Sequence, residues 1–101
     1  PTKRSGHSLT IIGNNGFLFG GLDHSMPPGP TRDLYQLRML SDEFHWLVPH
    51  ATGTPPPARW RHTASVWEKT KIVIFGGFYS SSCRHNDLWV FNTISLAWSQ
   101  P

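Results

Sequence analysis

Apolar residues come in short bursts separated by glycine, proline and small polar residues. Residues 17–19 (Phe-Leu-Phe) and 72–75 (Ile-Val-Ile-Phe) are strand-sized and continuously apolar, which predicts strands buried on both faces. Ahead of each lies a segment rich in β-branched and aromatic residues, 7–12 and 62–67, that predicts a partner strand. Between them, Gly13-Asn14-Asn15-Gly16 and Glu68-Lys69-Thr70 read as hairpin turns, Asn-Gly being favoured because both positions tolerate φ > 0. Third strands are expected over 33–38 and 87–91, each after a long polar loop, and fourth strands around Trp46 and Trp98. Residues 38–44 have room for one helical turn; elsewhere helical spacing is absent. The pattern predicts an all-β chain.

The two halves repeat each other. Arg4-Ser5-Gly6-His7-Ser8 returns as Arg59-Trp60-Arg61-His62-Thr63, and Phe17-Leu18-Phe19-Gly20-Gly21 as Val73-Ile74-Phe75-Gly76-Gly77. Asp33-Leu34-Tyr35 returns as Asp87-Leu88-Trp89, and Trp46 with Pro49 as Trp98 with Pro101. The offsets are 55, 56, 54 and 52 residues, so the landmarks keep their order and only loop lengths drift. A period near 50 marks a repeat architecture in which each unit is one supersecondary element.

The doubled pattern of a diglycine (Gly20-Gly21, Gly76-Gly77), then an aromatic (Tyr35, Trp89), then a tryptophan (Trp46, Trp98) resembles the kelch repeat over essentially the whole chain. The resemblance implies two four-stranded antiparallel blades of a kelch β-propeller: residues 1–49, a linker over 50–56, and residues 57–101. It also implies that Gly20, Gly21, Tyr35, Trp46, Gly76, Gly77, Trp89 and Trp98 are structural. The glycines would admit close backbone approach, and the aromatics would fill the space between blades. His7 and His62, as repeat equivalents, are expected to hydrogen-bond in the interior. Tyr35 in place of a second Trp is a common variant. Two blades make only a partial propeller, since closure takes roughly 4–8. Further blades of the same chain or neighbouring subunits are therefore expected to cover the exposed faces.

Composition narrows the setting. The 101 residues are 38% hydrophobic and 15% charged, with nine Gly and nine Pro, too many breakers for a helical bundle. The first residue is Pro1, without an initiator Met or a signal-like segment, as expected of a piece of something larger. No apolar run approaches the roughly 20 residues of a membrane-spanning helix. The single cysteine, Cys83, excludes an internal disulfide and suggests a reducing, intracellular setting, cytoplasmic with cytoskeletal or ciliary variants. A net charge of +3 leans toward acidic partners without the clustered basic face of a nucleic-acid binder.

Sequential strands put the three longest loops, 22–32, 50–58 and 78–86, on one rim, and long loops on a rigid scaffold tend to carry binding residues. The candidates there are Arg32, Arg59, Arg61, Phe78, Tyr79, Ser80, Arg84 and His85. Arginines can grip carboxylates bidentately, and a Tyr/Ser surface adapts to peptides. Related kelch propellers grip acidic or extended peptides with such residues. The competing readings are an internal salt bridge for Arg59 and a plain solvated loop for 80–86. His24, His50, Cys83 and His85 lack the paired spacing of a zinc site, so neither metal nor cofactor is expected. The acids Asp33 and Asp87 are repeat equivalents, and no nucleophile elbow, P-loop or dinucleotide fingerprint is present, so catalysis is not expected. The resulting expectation is a non-enzymatic module that docks a protein. Its rivals are an architectural subunit with permanent contacts and a fragment of a kelch-propeller enzyme.

Overall fold

A computed structural model describes all residues from 1 to 101, and every regular element in it is a strand. The strands are β1 (Arg4–Ser5), β2 (Ser8–Ile12), β3 (Asn15–Phe19), β4 (Leu22–Asp23), β5 (Gly29–Pro30), β6 (Leu34–Met39) and β7 (Phe44–Leu47). They continue as β8 (Thr63–Trp67), β9 (Lys71–Phe75), β10 (Phe78–Ser80), β11 (Cys83–Arg84), β12 (Leu88–Asn92) and β13 (Ala97–Ser99). Two four-stranded antiparallel sheets, β2-β3-β6-β7 and β8-β9-β12-β13, follow chain order without a crossover. Each is an up-and-down blade with β2 or β8 innermost and β7 or β13 at the outer edge. No helical turn forms over 38–44: β6 runs to Met39, and a bend closed by the Leu40 amide on the Glu43 carbonyl leads straight into β7.

The first hairpin differs from the expected Asn-Gly turn. Ile12 pairs with Asn15, so the two-residue loop is Gly13-Asn14, and Gly16 lies inside β3 opposite Ile11. Gly13 sits at φ +59, the glycine-first arrangement of a tight hairpin. In the second blade Glu68 and Lys69 take up φ +52 and +63 themselves.

The core lies between the sheets. Phe17 and Phe19 from the first blade meet Ile72, Ile74, Trp89, Phe91 and Trp98 from the second. Ring pairs Phe17–Phe91, Phe19–Trp98 and Phe91–Trp98 lie at 5.8, 5.2 and 4.8 Å in tilted geometry, the spacing aromatic quadrupoles favour. The continuous apolar runs thus differ in outcome. β3 is buried on both faces, whereas Phe75 of β9 is 48% exposed because no blade covers that side. An apolar hollow of about 240 Å³ lined by Trp67, Val73, Leu88, Val90 and Pro101 opens on that outer face.

The linker also departs from a plain rim loop. Thr52 pairs in parallel with Ala97, so this part of the chain runs along the outer edge of the second sheet. Only further on, where Arg32 reaches the Pro55 carbonyl at 2.8 Å and the Arg59 amide meets Thr31, does it join the rim.

Candidate functional site

The seam between blades is built on the diglycines, which repeat to within a few degrees: Gly20 and Gly76 at φ +69, Gly21 and Gly77 at +105 and +98. Such angles favour glycine, and a side chain at Gly20 would also stand 2.8 Å from the Arg59 carbonyl and 2.9 Å from the His62 ring. The second blade's backbone and His62 thus fit into the space that Gly20 leaves. His62 completes the seam with a 2.9 Å bond between Nε2 and Ser8 Oγ and an edge-on contact to Phe19. His7, its counterpart, is exposed, because the face it occupies has no neighbour.

Burial, reinforced by the nearby Arg59 and His7 charges, pushes His62 down to about 4 from 6.5. The unfolded chain therefore takes up a proton first. Stability linked to His62 is complete above pH 6.5 and falls as pH drops through the window down to 4. The loss is on the order of 2–3 kcal/mol at most. Thermal melts from pH 7.5 to 4.5 should show a decline that His62→Gln flattens; parallel curves for the two proteins would refute this linkage.

Each blade carries an arginine at the entrance of its inner strand, and the two behave differently. Arg59 is 0% exposed. Its guanidinium grips Asp87 bidentately at 2.6 and 2.9 Å and also donates to the Gly76 and Pro57 carbonyls at 3.0 and 3.1 Å. Trp89 adds a third donor to Asp87 through Nε1 at 2.8 Å, and with Arg59 foremost these bonds hold the Asp87 carboxyl well below the usual carboxylate range. Arg59, expected on the partner-binding rim, is therefore an internal strut: four of the five N–H donors of its guanidinium are bonded inside the protein. Arg4 instead lies 3.7 Å from Asp33 and 3.9 Å from Asp23, over the Tyr35 ring. Tyr35 has no indole N–H with which to fix the acid, and the clamp is looser.

Above the sheets, each blade raises a small ribbon on the same rim. In the first, β4 pairs with β1 and β5. In the second, Trp60 and Phe78 exchange two backbone bonds of 3.0 and 2.8 Å, and β10 pairs with β11. The predicted loops 22–32 and 78–86 are thus partly ordered strands. Phe78, half-buried, is the hinge of a stack: the Trp60 ring lies 5.9 Å away and the Arg84 guanidinium 5.5 Å over its own ring. Tyr79 is 51% exposed and meets His85 edge-on, and His85 Nε2 lies 3.2 Å from the Ala58 carbonyl. Ser80 contacts Ser82 through its hydroxyl, and Arg61, at φ +56 beside Trp60, is exposed. Arg32 is exposed at the linker. On the first ribbon, Asp23 accepts bonds from Ser25 and Thr2, which bring its carboxyl to about 2. His24 is occupied by Ser5 at 2.8 Å. No three His, Cys, Asp or Glu side chains gather at one point.

Trp60 was not among the sequence candidates, although it joins the rim stack. The signal was available: it directly follows the arginine that opens the second repeat, where the first repeat has the small Ser5.

Residues 1–101 match the family model described as the KLHDC2/KLHL20/DRC7 Kelch-repeats domain. This chain belongs to the kelch-repeat family. It is 40% identical to human Host cell factor 1 over 114 residues, spanning all of this chain and 6% of that protein. It is 36% identical to Drosophila melanogaster Host cell factor over 115 residues, again all of this chain and 8% of the relative. It is also 36% identical to the Chlamydomonas reinhardtii flagellar outer arm dynein alpha chain over 101 residues, covering 98% of this chain and 2% of that protein. The chain thus spans a small fraction of each. No helix of the kelch pair is long and apolar enough to cross a membrane.

Proposed function

We propose that these two kelch blades are a non-enzymatic protein-interaction module of an intracellular propeller, docking a partner on the ribbon-bearing rim. The observation that carries this reading is the Trp60–Phe78–Arg84 stack, flanked by exposed Arg61 and Tyr79. A guanidinium spread over an aromatic ring is held in place while its N–H edges stay free, and this lowers the ordering cost of gripping a carboxylate. Arg32, Arg61, Phe78, Tyr79, Ser80, Arg84 and His85 form the proposed surface, and an acidic or extended peptide is the chemistry they suit. Arg59 is left out because it is buried.

A permanent architectural role is the second reading. It is favoured by the outer part of the first blade, where Phe44 and Val48 are 72% and 68% exposed.

The full-length protein carrying Arg61→Ala, Tyr79→Ala and Arg84→Ala together should melt within about 2 °C of the parent, because exposed side chains contribute little to stability. Quantitative affinity capture should show at least one partner reduced tenfold or more. Undiminished capture of every partner by a fully folded triple variant overturns the rim assignment. A partner that survives high salt at fixed stoichiometry favours the architectural reading.

A further inference from the structure

The two open faces of the blade pair repeat the two halves of the seam between its blades. By the repeat offsets, Val73 and Phe75 stand where Phe17 and Phe19 stand, and Thr63 stands where Ser8 does. The apolar hollow on the second blade is lined in part by Trp67, Val73 and Leu88, which correspond to Ile12, Phe17 and Leu34. Those three pack into the core, and Phe91 lies against Phe17 at 5.8 Å. The first blade's open face carries the other half: exposed His7 corresponds to His62, Leu37 to Phe91, and Trp46, 45% exposed, to Trp98.

The backbone divides in the same way. Gly21 N–H donates to the Arg59 carbonyl at 2.8 Å, Arg61 N–H to the Gly6 carbonyl at 2.8 Å, and Arg59 N–H to the Thr31 carbonyl at 3.2 Å, tying the entrance of the second blade to the first. Thr31 and His85 correspond, each donating its N–H to the second glycine of its diglycine. On the outer face the matching groups are therefore Gly77 N–H, the Arg61 carbonyl and the His85 carbonyl, and none has a backbone partner. Gly20 and Gly76 share φ +69, yet the room beside them differs. A Cβ at Gly20 meets the Arg59 carbonyl and the His62 ring, whereas one at Gly76 meets only the His85 carbonyl, at 3.6 Å.

We propose that the outer face of the second blade docks the first blade of a second copy of this chain, repeating the internal seam head to tail. Leu37 and Trp46 of the second copy enter the hollow as Phe91 and Trp98 meet Phe17 and Phe19. Its His7 bonds Thr63 as His62 bonds Ser8, and its Arg4 carbonyl accepts from Gly77 N–H. The occupant is selected by continuity with a seam the structure already shows: each open face lacks what the other presents. Leu37 and Val73 are smaller than Phe91 and Phe17, so the seam between copies is the weaker one and forms reversibly with concentration. In the single pair Trp46 stays exposed. The contact joins unlike faces, and the same rotation recurs at every seam, so the copies close into a ring. With roughly 4–8 blades per ring, closure takes about two to four copies. The inference is independent of the rim reading.

Sedimentation velocity of the 101-residue chain across a wide concentration range tests this. Monomer should give way to one closed species of about two to four copies. Phe75→Glu and Trp46→Glu each block one face, so each variant alone should remain monomeric. Mixed one to one, they should form a heterodimer, because each supplies the face the other has lost. A folded chain that stays monomeric throughout, growth without closure, or a mixture that stays monomeric overturns the proposal. If a variant fails to fold, hydrogen exchange of the unmodified chain decides. The Gly77 amide should slow by about tenfold or more on association while the Gly21 amide, already bonded, does not change. A Gly77 amide that stays fast in the associated chain overturns the proposal. So does a slow Gly77 amide in a full-length protein that sediments as one copy, which assigns the face to another part of the same polypeptide.

Discussion

Asp87→Ala is expected to destabilise the protein by about 3–5 kcal/mol, the usual cost of stranding one member of a buried ion pair. Arg59 cannot reach water to compensate, since it is 0% exposed and walled in by the Gly76 and Pro57 carbonyls. The same substitution orphans Trp89 Nε1, whose acceptor is the Asp87 carboxylate. The matching change in the first blade, Asp33→Ala, should cost under about 1 kcal/mol, because the Asp33 side chain is 49% exposed and Arg4, though its side chain is buried, makes no hydrogen bond to Asp33 at 3.7 Å and keeps Asp23, Thr2 and the Gly20 carbonyl as partners. Urea unfolding of both variants checks the contrast. Equal losses would mean that the two clamps are energetically alike and that the Trp89 bond contributes nothing. A further variant, Arg59→Met with Asp87→Leu, should recover much of the loss, since an apolar pair leaves no charge without a partner.

That asymmetry also shows where the sequence was legible and where it was not. The apolar runs and turns marked four strands per repeat, and the resemblance to the kelch repeat carried by the diglycine, aromatic and tryptophan implied that each set forms one sequential antiparallel sheet, as found. Strand positions followed from the apolar runs to within a residue or two. The first turn was misplaced by two residues: Asn-Gly is a strong local preference, but Gly13-Asn14 lets Ile11 and Leu9 reach over Gly16 instead. Arg59 resisted reading for a different reason. An arginine counts as a surface residue until its counter-ion is known, and Asp87 lies 28 positions away. The repeat itself held the hint, since Arg and Asp recur together in both units, but their pairing is a tertiary fact. The substitution of Tyr35 for Trp, harmless to the fold, removes the N–H that would tighten the first clamp. The parallel strap at Thr52 left no trace in hydrophobic pattern, because backbone bonds to a polar linker carry none.

Trp98→Ala should cost about 3–5 kcal/mol, the range for emptying a large aromatic site. Trp98 is 6% exposed and its ring contacts Phe91 and Phe19, one from each blade, at 4.8 and 5.2 Å. Neither ring can follow it into the void. Phe91 is fixed between β9 and β13 in the middle of its sheet, and Phe19 is fixed from the other side by its pairing with Leu34 and Ser8. A wedge between two rigid sheets does not collapse as a flexible loop does, so the cost belongs at the upper end. Trp46→Ala is the internal reference: Trp46 is 45% exposed and touches chiefly Tyr35, edge-on at 6.3 Å. In the monomeric 101-residue chain that change should cost about 1 kcal/mol or less. In the full-length protein, a Trp46→Ala loss that rises toward that of Trp98→Ala measures how completely a neighbouring blade covers the first sheet. Thermal melts of both variants in both lengths provide the four numbers. A Trp98→Ala loss below about 1 kcal/mol would mean that the seam between the blades is not where the apolar stabilisation of this pair resides.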